Sequence, residues 1–457
     1  MSHSIWVKKM LLAMSDEDIK TRLRIVPPAV TGLHLMSAEA AAETLGAALK
    51  FLHEPNSQEI AAIKRIFDTA YVHALINYSD DKQFVLRANA PKLVVNEEPT
   101  TVMVTGEAGI GKTEMRKAVG RLIGLAGRHQ AASSVPEMPV VGGVFLRVNT
   151  NAGLADVLNL VAAELGARTE FKRTSEKDIA LARKLLYLHG CCFILVDELQ
   201  FLTQSQTANT KIVNTLELLR KLGVPVFYIG NFSLGHKLLK RPHEDRQRYL
   251  VNPLIMLPMP HTSTDYIEMC MSFEKVTGGV FSVKTADDRK MLHWYTGGNG
   301  RATRILITEA YKAMRQRTSM LSAEAAQKTS ISMGDLETAY ISVGFTSFRE
   351  DVEICRGQLI TQKQERADLW CPFALPPELQ NTQRELVQQI SQAHLFKAEL
   401  ESAMTLPEKQ AVKSIMKTFE VIPTEKSAPK PPRPKAPEKT AESLNAAYLK
   451  YMRKSVE

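Results

Sequence analysis

The segment Gly106-Glu107-Ala108-Gly109-Ile110-Gly111-Lys112-Thr113 constrains this chain more than any other feature. It fits the pattern G-x-x-x-x-G-K-[ST] throughout. It lies between an apolar run, Thr101–Val104, that reads as a strand and a stretch from Glu114 to Leu125 that reads as a helix. A strand turning through glycines into a helix aims backbone N–H groups and the positive helix end at one point, the geometry of an anion cradle. In such a cradle Lys112 reaches the β- and γ-phosphates and Thr113 offers its hydroxyl to Mg²⁺. Residues Gly106 through Glu114 are therefore expected to hold a nucleoside triphosphate.

The surrounding pattern gives that loop an α/β setting. Over residues 96–262, apolar runs at Gly143–Val148, Cys192–Val196, Val224–Ile229 and Leu254–Pro258 alternate with helical segments such as Leu154–Leu165 and Lys211–Leu222. Such alternation implies a mostly parallel sheet covered on both faces. Residues 1–95 read as a helical N-terminal accessory region, with Ala38–Leu52 and Gln58–Tyr78 separated by a turn at Pro55-Asn56-Ser57. Residues 263–345 read as all-helical, Gly297-Gly298-Asn299-Gly300 and Ser332-Met333-Gly334-Asp335 each opening a helix, and 346–422 as a helical C-terminal extension.

Two acids mark the second half of the expected site. The apolar run Phe193-Ile194-Leu195-Val196 ends in Asp197-Glu198, which puts both carboxylates at the carboxyl edge of a buried strand. Asp197 suits the Mg²⁺ hydration shell and Glu198 the general base that activates water. The next apolar run delivers Asn231 to the same edge, where an amide can orient that water or simply open the following turn. Arg241, Arg246 and Arg248 precede the fifth strand, and Arg248, then Arg246, best suits a guanidinium reaching a neighbouring subunit's γ-phosphate. Arg301 and Arg304, one helical turn apart after the glycine turn, can reach back to the phosphates.

With these residues in place, the chain from Val102 to Ala310 resembles an AAA+ ATPase, and within that superfamily the transposition regulators of the TnsC and TniB type. The likeness is carried by VTGEAGIGKTEM at 104–115, LVDELQFL at 195–202, GVPVFYIGN at 223–231 and TGGNGRATRILITEA at 296–310. The resemblance implies an AAA+ P-loop domain with a helical lid over 263–345. It also implies ATP and Mg²⁺ as cofactors, a homo-oligomeric ring or filament on double-stranded DNA, and recruitment of transposase subunits by way of a target-selector protein. Hydrolysis would then disassemble the oligomer.

DNA contact rests on separate residues. The net charge of +9 suggests an anionic partner. Arg168, Lys172, Arg173 and Lys177 lie in an insertion before the Asp-Glu strand, where they can neutralise phosphates without reading sequence. Lys211, with Thr207 and Thr210, offers a second loop. The tail from 423 to 457 is rich in proline and lysine, reads as a flexible linker, and ends in a short amphipathic stretch, Ala441–Met452, suited to docking a partner. Five cysteines without C-x-x-C spacing argue for a reducing, cytoplasmic setting, and no apolar run is long enough to span a bilayer. Three other readings stay open: a replication or helicase loader, a nucleotide-switched scaffold without DNA, and a protein-remodelling factor using Phe171 beside Lys172 as an aromatic pore residue.

Overall fold

The structure, a computed structural model, describes residues 4–403 except 91–92, 94–97, 132, 134–135, 150–151, 200–207 and 321–327. The chain divides into a large unit, Met1–Leu395, and a short one, Phe396–Glu457, of which only residues up to Ala403 are described. The tail and its docking stretch lie outside the described residues, as does Thr207.

Five helices come first: α1 (Ile5–Met10), α2 (Asp16–Leu23), α3 (Ala38–Phe51), α4 (Ser57–Asn77) and α5 (Asp81–Ala88). Their starts are written in the sequence. Ser37 caps α3 and Asn56 caps α4, each side chain accepting an N–H from the first turn. Strand β1 (Thr101–Gly106) then leads into α6 (Lys112–Ile123), and a short antiparallel hairpin follows, β2 (Gly127–His129) with β3 (Met138–Val140). After it come β4 (Gly142–Arg147), α7 (Leu154–Glu164), α8 (Glu176–Leu188), β5 (Cys191–Asp197), α9 (Ala208–Lys221) and β6 (Val226–Gly230). Helices α10 (Phe232–Leu239) and α11 (His243–Tyr249) precede the last strand, β7 (Leu254–Met256).

Strands β4, β5, β6, β1 and β7 form one parallel sheet in that order. All five expected strands are present, each within two residues of its expected bounds. Every residue of β1, β5 and β6 is buried, which explains why these strands read as unbroken apolar runs rather than alternating ones. The register pairs Thr105 with both Gly230 and Ile255, so the carboxyl ends of β6, β1 and β7 are brought level. Ligands of open parallel sheets bind at this edge.

The lid is α12 (Thr264–Val276), α13 (Ala286–Thr296), α14 (Gly300–Arg317) and α15 (Met333–Ile341), followed by α16 (Thr346–Thr361) and α17 (Pro377–Ala403). Among the described residues, the buried side chains of the N-terminal helices join the cores of the sheet and the lid. Trp6, Ile19, Ile63, Phe67 and Phe84 join Val104 and Phe227 in the core on one face of the sheet. Ala41, Leu45 and Leu49 of α3 instead join Tyr266, Leu306 and Phe345 in the lid core.

Candidate nucleotide site

The phosphate loop is a left-handed turn between a buried strand and the amino end of a helix. Gly109 (φ +84°) and Gly111 (φ +112°) occupy backbone conformations that side chains rarely adopt. Space matters as much at Gly109, where a Cβ would stand 2.6 Å from Oδ1 of Asn299 and 2.9 Å from Cβ of Arg301. Within the loop, the Lys112 ammonium donates to the carbonyls of Gly106 (2.7 Å) and Glu107 (2.6 Å). Burial, with Arg301 nearby, pulls Lys112 down to about 8 against the opposing pull of Glu107, Asp197 and Glu198. Thr113 is half-buried beside it, and Glu114 pairs with Lys117 on the outer face of α6 at 2.7 Å.

Across the loop stand the acids of β5. Asp197 is buried; its Oδ1 accepts the Glu198 N–H at 2.9 Å and its Oδ2 lies 3.2 Å from Nε of Arg116. Arg116 was not singled out from the sequence, although it follows Lys112 by four residues and so shares its helix face. Glu198 has a positive φ of 64°, rare outside glycine and strained for a side chain of this size. Among the described residues no cluster of three or more His, Cys, Asp or Glu is placed to hold a metal. A buried carboxylate, Asp197, and a half-buried threonine hydroxyl, Thr113, are nevertheless donors that suit Mg²⁺, which keeps several waters and takes its other ligands from phosphates.

The remaining expected residues divide. Asn231 sits at the end of β6, and its Oδ1 accepts from the Ser233 hydroxyl (2.6 Å) and the Leu234 N–H (3.4 Å), capping α10. Arg246 and Arg248 are exposed on α11, while Arg241 is engaged with Asp245 at 2.9 Å. Arg301 is exposed at the start of α14, close enough for its charge to act on Lys112. Arg304 is half-buried, donates to the Lys50 carbonyl at 3.4 Å, and feels both Arg301 and Glu114.

Arg168, Lys172, Arg173 and Lys177 are all exposed between α7 and the first turn of α8. Phe171 is not. It is 3% exposed, and its backbone is held in both directions by Asn159, at 2.7 and 2.9 Å. The aromatic pore reading therefore fails, because this ring fills the core beneath the loop.

Two further residues emerge from the structure. Asn299 caps α14 through Oδ1 and donates from Nδ2 to the carbonyl of Ala108 at 2.7 Å, joining lid to phosphate loop. Its capping role is legible in Asn-Gly before a helix, whereas its contact with a loop 191 residues away is not. Glu107 faces the C-terminal extension. Burial pushes its carboxyl up to about 7 against the pull of Lys112, with Asp351 and Asp368 adding to the rise and Cys355 as a hydrogen-bond partner.

A family model described as an AAA domain matches residues 95–238. Residues 95–238 are an AAA domain. The match takes in the phosphate loop, Asp197, Glu198 and Asn231 and stops before Arg241, Arg246, Arg248 and the lid. Among solved structures, the ORC1 protein of Aeropyrum pernix in complex with DNA is similar at 16% identity and a TM-score of 0.34, over 79% of this chain and 83% of that one. Drosophila ORC bound to DNA matches at 13% and 0.32, over 89% and 84%. Cdc6p from Pyrobaculum aerophilum matches at 13% and 0.33, over 68% and 94%. Likenesses this slight carry no argument about what the chain binds. No curated protein matches it. Among the described residues, no helix is long and apolar enough to cross a membrane.

Proposed function

We propose that this AAA domain hydrolyses ATP and that the chain is a DNA-bound regulator of transposition, using the nucleotide to time its assembly and release. The observation that carries the ATPase reading is the convergence at one sheet edge of Lys112 and Asp197 with Glu198 next to it, under a lid end bearing Arg301. Cations held together at a helix amino end are relieved by a polyphosphate, and the carboxylates beside them suit metal-assisted attack by water.

In this reading the loop N–H groups and Lys112 hold the β- and γ-phosphates, and Thr113 and Asp197 hold Mg²⁺. The metal supplies charge neutralisation of the phosphate oxygens. Glu198 accepts the proton of a water whose oxygen forms a bond to the γ-phosphorus. The bond from that phosphorus to the β–γ bridging oxygen breaks, and ADP and phosphate leave. Asn231 steers the water through its amide, Arg301 and Arg304 sense the γ-phosphate from the lid, and Arg248 or Arg246 is offered to the nucleotide of a neighbouring copy.

The DNA half of the proposal rests on the four exposed cations Arg168, Lys172, Arg173 and Lys177, on the net charge, and on the resemblance to TnsC- and TniB-type regulators. Transposase subunits and a target-selector protein are the partners that the resemblance implies. The test is sedimentation and electron microscopy of the full chain with double-stranded DNA, with and without non-hydrolysable ATP. ATP-dependent rings or filaments that weaken as salt rises are expected. A monomer indifferent to DNA in every condition would overturn the DNA reading while leaving the ATPase reading to its own assay.

A further inference from the structure

Helix α11 has only seven residues, yet it presents two exposed arginines in the proposed trans position. A helix that short does not hold itself in place. Beside the Arg241–Asp245 pair near its start, its last residue ties it to the core. Tyr249 is 1% exposed, its phenol donates to Oε2 of Glu217 on α9 at 2.9 Å, and its backbone carbonyl accepts the phenol of Tyr228 at 2.5 Å. Arg220 completes the group: it donates to the same Glu217 oxygen at 3.2 Å and stands 6.0 Å from the Tyr249 ring.

The Tyr228 hydroxyl has no packing reason to exist. The residue is fully buried in β6 between Phe227 and Ile229, where a phenylalanine would fill nearly the same volume. A buried hydroxyl costs free energy unless it is bonded, and this one is bonded to the carbonyl at the end of α11. Burial raises both phenols above their ordinary range, so both remain donors at any working pH. Tyr228 also precedes Asn231 by three residues, about 10 Å along a strand.

We infer that Tyr228 and Glu217 are positioning residues that lock the arginine-bearing helix α11, Tyr228 to the strand that leads into Asn231 and Glu217 to α9, so that one protomer's own site sets the arginine it offers to the next. This rests on the proposed trans role of Arg246 or Arg248. The experiment mixes two full-length proteins with ATP and DNA. The donor carries Glu198→Gln, which leaves its arginines intact but its own site silent. The acceptor carries Arg246→Ala with Arg248→Ala, which leaves its site intact but its arginines absent. Mixing is expected to restore hydrolysis.

Adding Tyr228→Phe to the donor should then lower the restored rate about tenfold, the scale of one lost buried hydrogen bond, with nucleotide affinity unchanged. Adding it to the acceptor should leave the restored rate alone. Glu217→Ala serves as the second variant and should show the same asymmetry. Equal losses on both sides, or no loss on the donor side, would overturn the positioning role. Failure of the unmodified donor to restore any hydrolysis would refute the trans arginines themselves, and this inference with them.

Discussion

The two walls of the candidate nucleotide site are built differently. The sheet wall consists of Lys112, Asp197 and Glu198, delivered by a buried strand, a glycine turn and a helix start; Lys112 is held by loop carbonyls, and Asp197 by the Glu198 N–H and Arg116. The lid wall consists of Arg301 and Arg304 on α14, attached to the loop through the Asn299 amide and to the N-terminal region through the Lys50 carbonyl. Backbone geometry fixes the first wall, while side-chain contacts between separate cores hold the second. Chemistry is therefore expected on the sheet side and control on the lid side.

The sharpest test of that division is Glu198→Gln. It should lower kcat for ATP by about 10²- to 10⁴-fold, the worth of a general base, while nucleotide affinity is kept. Loss of binding together with turnover, measured by fluorescent nucleotide titration, would break the division. Gly109→Ala acts on the seam between the walls. Alanine at φ +84° costs about 1–2 kcal/mol, and its methyl would press on Asn299 and Arg301. A roughly tenfold weaker Kd for nucleotide is expected if the lid is displaced. An unchanged Kd would mean that the lid contact is incidental.

The smallest effect is on pH. Glu107, held near 7, is largely neutral at pH 6 and ionised at pH 8, so raising the pH places a negative charge near Lys112 that competes with an anionic ligand for it. Affinity for ATP should fall a fewfold over that interval, part of it from Lys112 losing its proton near 8, and Glu107→Gln should remove only the Glu107 share of the fall. The same shift has a stability sign. Because the folded value lies above the ordinary 4.5, the contribution is fully present below pH 4.5 and is lost as pH rises through about 7. A thermal midpoint in the Glu107→Gln chain that moves with pH as in the parent would contradict this.

The sheet wall was legible in the sequence because its signals are local. Apolar runs, a glycine loop and an acid pair each sit within ten residues, and Ser37, Asn56 and Ser332 announce helices by capping. The hairpin of β2 and β3 leaves no pattern in the sequence because three-residue strands such as Gly127–His129 are too short to show alternation. Phe171, set among lysine and arginine, reads as exposed, and only the fold reveals that its ring points inward. The Asn299–Ala108 contact and the surroundings of Glu107 join residues far apart in sequence, which no periodicity can report.

The first ninety residues divide between two cores, α3 with the lid and α1, α2, α4 and α5 with the sheet. Replacing them as one block would therefore disturb both cores at once. A graft that keeps α4 but replaces α3 breaks the lid interface, and one that keeps α3 alone leaves the sheet face bare. A replacement for the N-terminal helices would have to fit the sheet face and the lid at the same time.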